Sequence, residues 1–250
     1  MQLKIGKAVY EGEVINGKPH GLGTLRYDGG DQYVGAFIDG KRSGLGVMIF
    51  CSSRDKASHA RYEGEWTADM MSGYGVHYLA AGAVYCGEFS TSTRTGYGVY
   101  LAVSGNIFVG PFSSNARHGF GQKRWLKKGS MHWTEYRADK CVQRIVTSSD
   151  GIREAEVNVN VALRAAALGV DAAIRSARFG AKTKVSLLNI LQVSVPNIDV
   201  RNGHSLLGIL KVYQKPVAGS RDDAAQQEVP PLLLDKHIPY VPYPYGMMLI

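Results

Sequence analysis

Side chains that could act in acid–base chemistry recur at fixed positions in the first half of the chain. Glu13, Glu65 and Glu88 each follow an aromatic residue by three positions, and His20 and His118 each precede a Gly-x-Gly. Carboxylates and imidazoles serve as general acids and bases when a cleft brings them together. At expected turns, however, a histidine more often hydrogen-bonds the backbone, and strand glutamates more often pair with Lys and Arg on neighbouring strands. The pattern therefore predicts structural roles for all five side chains.

Other signatures of enzymes and metal sites are incomplete. "GHSLLG" from Gly203 has Leu207 where a nucleophile elbow requires glycine. Each Gly-x-Gly lacks the third glycine and the Lys-Ser/Thr of phosphate-binding loops. Cys51, Cys86 and Cys141 are far apart, without a CxxC pair or a histidine at ligand spacing. We therefore predict a protein that is not an enzyme and has no catalytic, metal or cofactor site.

The distribution of charge argues against a nucleic-acid partner. The net charge is +8, with 17 Lys and Arg against 12 Asp and Glu up to Cys141, and 12 against 9 afterwards. A nucleic-acid-binding protein more often concentrates its excess in one stripe or tail. The sequence also lacks a signal-peptide pattern and an apolar run of ~18 residues. We expect a soluble protein of the cytoplasm.

An internal repeat occupies the first half of the chain. Each copy starts with an aromatic residue, has glycine two positions later, and begins a Gly-x-Gly eleven positions after the start. The starts, spaced by 23, 29, 23 and 23 residues, are Tyr10, Tyr33, Tyr62, Tyr85 and Phe108. A degenerate copy, "MHWTEY", is expected from Met131. The longer second spacing falls in the polar stretch "CSSRDKASHA", which is expected to lengthen one turn.

The repeat length predicts one β-hairpin per copy, because 23 residues fit two strands of ~6 residues and two turns. Side chains alternate faces along a strand, so the first aromatic residue, the glycine and the next large residue share one face. A ring can fold across such a bare glycine backbone. The glycines are therefore predicted to be slots for neighbouring rings. Apolar residues such as Tyr74 and Val76 point to the other face, which something must cover.

The order of residues in each copy resembles the MORN (membrane occupation and recognition nexus) repeat: tyrosine, an acidic residue, glycine, an acidic residue, an aromatic residue, then HGxG or SGxG. The resemblance covers Tyr10 to about Lys140, and "KPHGLG" and "ARHGFG" keep the histidine that the family favours. Val14 departs from it at the second aromatic position. Acidic positions are replaced at Val34, Ala36, Cys86, Val109 and Pro111.

The resemblance implies a function as well as a fold. In this family the repeats occur fused to enzymes, in junctional membrane proteins, and in small proteins of radial spokes, flagella and other cytoskeletal assemblies. No kinase or methyltransferase motif follows Lys140, so the chain resembles the small cytoskeletal and ciliary members. The expected function is a non-enzymatic structural scaffold or adaptor, located in the cytoskeleton and in a cilium or flagellum as an axoneme component.

The aromatic face is the expected site for a protein partner, since a stiff sheet can hold an extended peptide. The expected contacts are Tyr33, Trp66, Tyr85, Phe89 and Phe112. The free edges of an open sheet could also pair with a second copy to form a homodimer.

The alternative function is a peripheral membrane protein that binds acidic phosphoinositides. Lys123, Arg124, Lys127 and Lys128 form the densest basic patch, and each would contribute ~1 kcal/mol near an anionic surface. No amphipathic anchor accompanies them. The scaffold reading is therefore favoured, with weak contact to an acidic membrane kept open.

From Asp150 the apolar period changes to three and four residues, which predicts an amphipathic helix. Ser149 or Asp150 is expected to cap it and Gly180 to end it. The apolar stripe, which includes Ile174, could pack on the chain's own sheet or dock on another protein. Self-packing is favoured, because most helical stability comes from tertiary contacts.

Two shorter helices are expected at residues 185–193 and 204–214, followed by a polar linker at 216–229. The final stretch, "PPLLLDKHIPYVPYPYGMMLI", favours an extended polyproline-like strap. Its PxxP fits an aromatic groove on a partner. The predicted contacts in this tail are Pro239, Tyr240, Pro242, Tyr243 and Tyr245.

Together these patterns predict an α+β fold in three parts. Residues 1–143 form an elongated, single-layer antiparallel β meander of hairpins. Residues 144–215 form a small α-helical region, and residues 216–250 form a linker and an extended Pro-rich C-terminal tail.

Overall fold

Each repeat folds into an antiparallel hairpin, as its length predicts. The structure, a computed structural model, describes residues 1–51, 60–125 and 129–182, with only the backbone described for 179–182. The predicted long turn after Cys51, the two short helices and the C-terminal tail lie outside these residues. The strands are β1 (Gln2–Ile5), β2 (Ala8–Ile15), β3 (Lys18–Arg26), β4 (Gln32–Ile38), β5 (Lys41–Phe50), β6 (Ala60–Thr67), β7 (Met70–Tyr78), β8 (Val84–Ser90), β9 (Thr93–Leu101), β10 (Asn106–Ser113), β11 (Ala116–Arg117), β12 (Gly119–Trp125), β13 (Ser130–Arg137) and β14 (Lys140–Gln143).

The strands form one open meander in chain order. Thirteen follow one another from β1 to β14, and the short β11 pairs with β10 beside this path. All pairings are antiparallel. The predicted meander is confirmed.

Tight turns of the same kind close the hairpin inside each repeat. Both central residues of each turn have positive φ, from Asn16 and Gly17 in the first to Ala138 and Asp139 in the last. This is the signature of type I′ turns, whose twist matches that of the strands they join.

The two faces of the sheet carry different side chains. The ring face holds the aromatic residues that start the repeats, and the helix face holds residues such as Val76, Val99 and Val109. Both sets are buried. The two-sided apolar sheet predicted from alternation is therefore observed.

A single helix, α1 (Ser149–Lys182), covers the helix face. It contacts the strands from β4 to β13, and it runs across the sheet from the later strands to the earlier ones. Near its start, the Asn158 side chain donates to the Phe120 carbonyl of β12 at 2.8 Å, and near its end the Ser176 hydroxyl donates to the Gly64 carbonyl of β6 at 3.4 Å. Its 34 residues span about 50 Å at 1.5 Å per residue. That is close to the width of the strands it crosses, at ~4.8 Å each. The self-packing reading is confirmed.

Small residues bring α1 close to the sheet. Its buried side includes Ala155, Ala162, Ala166 and Gly169. A Cβ at Gly169 would lie 2.7 Å from the Gly75 carbonyl oxygen. By length and composition alone, residues 149–178 could cross a membrane, but half of the most apolar window is buried within the protein. This helix is therefore part of the core.

Three details of the helix differ from the prediction. Ser148 caps it, because its hydroxyl accepts from the Gly151 N–H at 3.3 Å, so the cap is neither Ser149 nor Asp150. The helix also continues past Gly180 to Lys182. Ile174 is 41% exposed, so the side of the helix that the sheet buries is narrower than the predicted apolar stripe.

Candidate interaction surfaces

Ten aromatic side chains form an unbroken series on the ring face, which we call the ring ladder. Each ring meets the next edge to face, with centroids 4.9–5.6 Å apart and planes at 76–89°. This geometry suits the ring quadrupoles and adds to the energy of burial. In order across the sheet, the ladder is Tyr10, Phe37, Tyr33, Trp66, Tyr62, Phe89, Tyr85, Phe112, Phe108 and Tyr136.

The glycines beside the ladder are slots for its rings, as predicted. A Cβ on Gly75 would lie 2.5 Å from Oη and 2.7 Å from Cε2 of Tyr62. A Cβ on Gly12, Gly35 or Gly87 would likewise overlap the tyrosine of its own repeat and the backbone of the next strand. Any larger residue would force the ring out of its place.

Each tyrosine that starts a repeat also fixes the backbone. Its hydroxyl donates to the carbonyl three residues later, as from Tyr62 to Glu65 at 3.0 Å and from Tyr85 to Glu88 at 3.1 Å. Burial raises the pKa of the Tyr62 phenol above its ordinary value, so the hydroxyl stays protonated and remains a donor. Phe108, which starts the fifth repeat, has no hydroxyl to donate.

The first glycine of each Gly-x-Gly has a different role from the second. Gly73 lies at a β-bulge and has φ of +61°, which favours glycine. The Glu65 carboxylate lies over it and accepts from the Tyr74 N–H at 3.2 Å. Only the second glycine is a ring slot.

Within the described residues, the recurring glutamates bind backbone amides instead of the predicted Lys and Arg partners. Glu13 accepts from the Leu22 N–H at 3.5 Å and Glu88 from the Tyr97 N–H at 3.4 Å, as Glu65 does in its own repeat. The bulge turns these amides towards the carboxylates. Burial raises the pKa of Glu88, while the bond from the Tyr97 amide opposes that rise.

The two recurring histidines contribute backbone groups to the hydrogen bonds of the hairpins. The His20 carbonyl accepts from the Tyr10 hydroxyl at 3.1 Å, and the His118 N–H donates to the Pro111 carbonyl at 3.0 Å. Among the described residues, no group of three or more His, Cys, Asp and Glu could hold a metal ion.

Three arginines lie over the ring ladder, and we call them the arginine row: Arg42, Arg94 and Arg117. The Arg42 guanidinium lies 4.5 Å from the Trp66 ring, and that of Arg117 lies 4.3 Å from Tyr136. Each arginine also binds the turn of the next repeat, at Asp69, Asn115 or Asp139. The Arg117 hydrogen bonds hold the pKa of Asp139 below its ordinary range, against the opposing effect of burial.

Sequence reasoning missed the arginine row. Its signal is visible in the repeat, because arginine stands nine residues after the start in three of the five copies. Pro19 and Met71 take this place in the other two copies.

The aromatic residues predicted to contact a partner all belong to the ring ladder, so the structure brings them together. Their exposed fractions are nevertheless only 0–5%. The rings fill one another's gaps, and the partly exposed arginine row lies over them. The tail residues Pro239, Tyr240, Pro242, Tyr243 and Tyr245 lie outside the described residues.

Two of the basic side chains of the membrane alternative, Lys123 and Arg124, lie on different faces of the sheet. Lys123 and Arg124 are neighbours in β12, so strand alternation sends them to opposite faces. Lys123 is opposite Phe108 on the ring face, while Arg124 is opposite Ile107 on the helix face and is buried. Lys127 and Lys128 lie outside the described residues.

The sixth repeat is shifted by one residue from its predicted start. His132, rather than Met131, pairs with Lys123 and takes the place of the starting aromatic residue. Thr134 then takes the place of the slot glycine, and Tyr136 supplies the last ring of the ladder. The connection before β13 is one residue longer than the sequence spacing suggested.

An open meander whose units lock together through recurring rings and glycines defines an elongated repeat protein, in which each unit contacts mainly its neighbours. Five copies match the MORN repeat family, at residues 10–32, 33–53, 62–84, 85–107 and 108–126. These starts are the ones predicted from spacing. Residues 10–126 of the chain therefore consist largely of MORN repeats.

The chain is also similar to two larger proteins over part of its length. It is 34% identical to Alsin from Homo sapiens over 82 residues, which are 32% of this chain and 5% of Alsin. It is 35% identical to the human "ALS2 C-terminal-like protein" over 74 residues, which are 29% of this chain and 8% of that protein. The chain therefore spans less than a tenth of the length of these curated relatives.

Proposed function

We propose that this protein is a non-enzymatic scaffold or adaptor of a cytoskeletal assembly, and specifically a ciliary or flagellar axoneme component. The observation that carries the proposal is the ring ladder backed by α1. A sheet locked on one face by interdigitated rings and on the other by a long helix resists bending, and a scaffold needs such stiffness. The matches to the MORN repeat support an interaction role, and the resemblance to the small cytoskeletal members of that family supports the proposed location.

A protein partner would meet the ring face at its outer layer. Arg42 and Arg117 already pair with the carboxylates of Asp69 and Asp139, whereas Arg94 binds the neutral Asn115. The Arg94 guanidinium is therefore the member of the arginine row that can meet a partner's carboxylate, which a planar guanidinium recognises well. A partner with an acidic residue that can reach Arg94 fits this surface. The rings beneath hold the arginines in place, and the predicted tail contacts would form a second attachment.

Variants can test the arginine row directly. We expect Arg94→Gln to weaken capture of a cytoskeletal partner by about tenfold, because a charge-assisted contact is lost. Arg178→Gln removes the same charge from an exposed position at the end of α1 and is the matched control. Equal capture by both variants would contradict this role of the ring face.

The tail contact needs a separate experiment. Removal of residues 230–250 is expected to lose at least one protein that the full chain captures, and a tail of the same residues in scrambled order should lose it too. If neither change alters the set of captured proteins, the tail is not an attachment.

A fluorescent tag in the native cell tests the location. A line of signal along a flagellum is expected, and a diffuse signal would contradict the proposed location.

The membrane alternative is less well supported by the geometry. It relied on adjacent basic side chains acting together, and Lys123 and Arg124 face opposite sides of the sheet. Flotation with phosphoinositide vesicles tests it. Salt-sensitive binding that is lost when the four basic residues become Glu would favour a membrane role over the scaffold.

A further inference from the structure

The end of the sheet contains a cavity where the repeat pattern breaks down. In earlier repeats an aromatic ring pairs with an aliphatic or aromatic residue on the preceding strand, as Tyr33 does with Leu25. In the sixth repeat the corresponding pair is His132 and Lys123, so no pair of packed side chains fills the space. The cavity measures about 420 Å³ and is lined by Lys123, Trp125, Ser130, His132, Thr134, Tyr136, Cys141 and Arg144.

The lining is rich in positive charge and in hydrogen-bond donors. Lys123 and Arg144 are cationic, and Ser130 and His132 add a hydroxyl and an imidazole. Among the lining residues that the structure describes, none carries a carboxylate, and neither cation forms an ion pair there. The nearby Arg117 is already paired with Asp139. The described lining therefore carries positive charge with no carboxylate beside it.

The positive charges also act on one another. Partial burial lowers the pKa of Lys123, and the repulsion from Arg117 and Arg144 lowers it further. Its ammonium group lies 4.8 Å from the centroid of the Trp125 ring, which forms one wall. A bound dianion would relieve this repulsion.

We propose that this cavity binds a phosphate group, presented either on a small soluble molecule or on a lipid headgroup. A phosphate monoester carries a charge of about −1.5 to −2 and three acceptor oxygens, which match two cations and several donors better than a carboxylate does. The residues that bind it are Lys123 and Arg144 through charge, with His132 and Ser130 as further donors. The site arises from the loss of the repeat consensus and is independent of the proposed scaffold function.

The test uses the full chain and refills the cavity with the residues of an intact repeat. Inorganic phosphate and glycerol 3-phosphate are titrated at constant ionic strength while the indole N–H signal of Trp125 is followed by NMR. We expect a saturable shift in the unmodified protein. The double variant Lys123→Met with His132→Tyr, which copies the Met48 and Tyr62 pair, should weaken binding by at least about tenfold.

Two further variants control for the loss of a charge elsewhere and for misfolding of the refilled protein. Lys41→Met removes a lysine from an exposed position outside the cavity and should bind like the unmodified protein. Arg144→Gln changes an exposed side chain, so it should fold even if the refilled variant does not, and it should bind about tenfold more weakly. Equal binding by all variants would overturn the proposal, and so would the absence of a saturable shift with either phosphate together with the absence of vesicle binding that depends on the cavity.

Vesicles containing phosphatidic acid distinguish the two sources of phosphate, because that headgroup is also a phosphate monoester. Vesicle binding that the refilled variant loses assigns the site to a lipid headgroup. Binding of the soluble phosphates without vesicle binding assigns it to a small solute. Vesicle binding that survives refilling, together with no binding of soluble phosphate, contradicts the site.

Discussion

At the scale of single residues, the tyrosine and glycine of each repeat act as a pair. Tyr62 lies across Gly75, and its hydroxyl reaches the Glu65 carbonyl, so one side chain fills a gap and satisfies a backbone group. The glycine contributes by lacking a side chain. A residue-scale change should therefore have a large effect at a slot glycine and a small effect at a glycine in open space.

Gly75→Ala is the corresponding variant. Its new Cβ would overlap Tyr62, and overpacking of this kind costs about 1–3 kcal/mol of unfolding free energy. Gly29→Ala is the matched control, because no atom lies within 4 Å of its Cβ position. It should change stability by less than about 0.5 kcal/mol. Chemical denaturation measures both, and equal losses would contradict the slot.

His77 should make stability depend on pH. It lies between Tyr62, Phe89 and Phe50 on the ring face, and burial, followed by repulsion from Arg94, lowers its pKa from 6.5 to about 4. The unfolded chain therefore takes up this proton at higher pH than the folded protein does. Stability should be full above pH 6.5 and fall by roughly 3 kcal/mol as the pH drops to 4, at ~1.4 kcal/mol per pKa unit.

His77→Met isolates that contribution, because Met48 takes the same place in the second repeat. The difference in unfolding free energy between the two proteins should vary with pH between 6.5 and 4 and stay constant above that range. A difference that is constant throughout would show that His77 is not desolvated.

At the scale of secondary-structure elements, the helix and the sheet depend on each other. The helix face is apolar and cannot remain exposed, and α1 has small residues on the side that meets it. Gly169 makes the closest approach, over the backbone of β7 and β8. Cys86 lies beneath the helix and is 3% exposed.

Gly169→Val should push the helix away from the sheet. Leu168→Val places the same side chain one residue earlier, where the position is 44% exposed, and is the control. In a background with Cys51 and Cys141 changed to serine, we expect thiol reagents to label Cys86 at least about tenfold faster in Gly169→Val than in the control. An unchanged rate would mean that Gly169 does not set the contact. Gly169→Val should also lower the unfolding free energy by about 1–3 kcal/mol, as overpacking of a core position typically does.

At the scale of the whole molecule, the architecture could be predicted from the sequence because it is periodic. The repeat starts, the alternation of faces and the ring slots all follow from one spacing, and each was correct for Tyr10 to Phe112. The covering role of α1 also followed, because a two-sided apolar sheet needs a second layer. The division into three parts at residues 143 and 215 stays a prediction.

The features that the repeat spacing could not predict depend on local backbone geometry and on packing between repeats. The bulge at Gly73 turns the Tyr74 amide towards Glu65, and a pattern of alternating faces contains no bulge. The longer connection before β13 moves the sixth repeat to His132, and only the strand register reveals the shift. The burial of Phe89 and Phe112 follows from mutual packing of the rings, which a single hairpin does not show.

The central claim is that the rings and the glycines hold the meander together as matched pairs, and a double-mutant cycle tests it most directly. The cycle combines Gly75→Ala with Tyr62→Leu and measures the unfolding free energies of all four proteins. The account predicts that the double variant loses at least about 1 kcal/mol less than the sum of the two single losses, because removing the ring removes the clash. Additive losses would contradict the pairing of Tyr62 with Gly75.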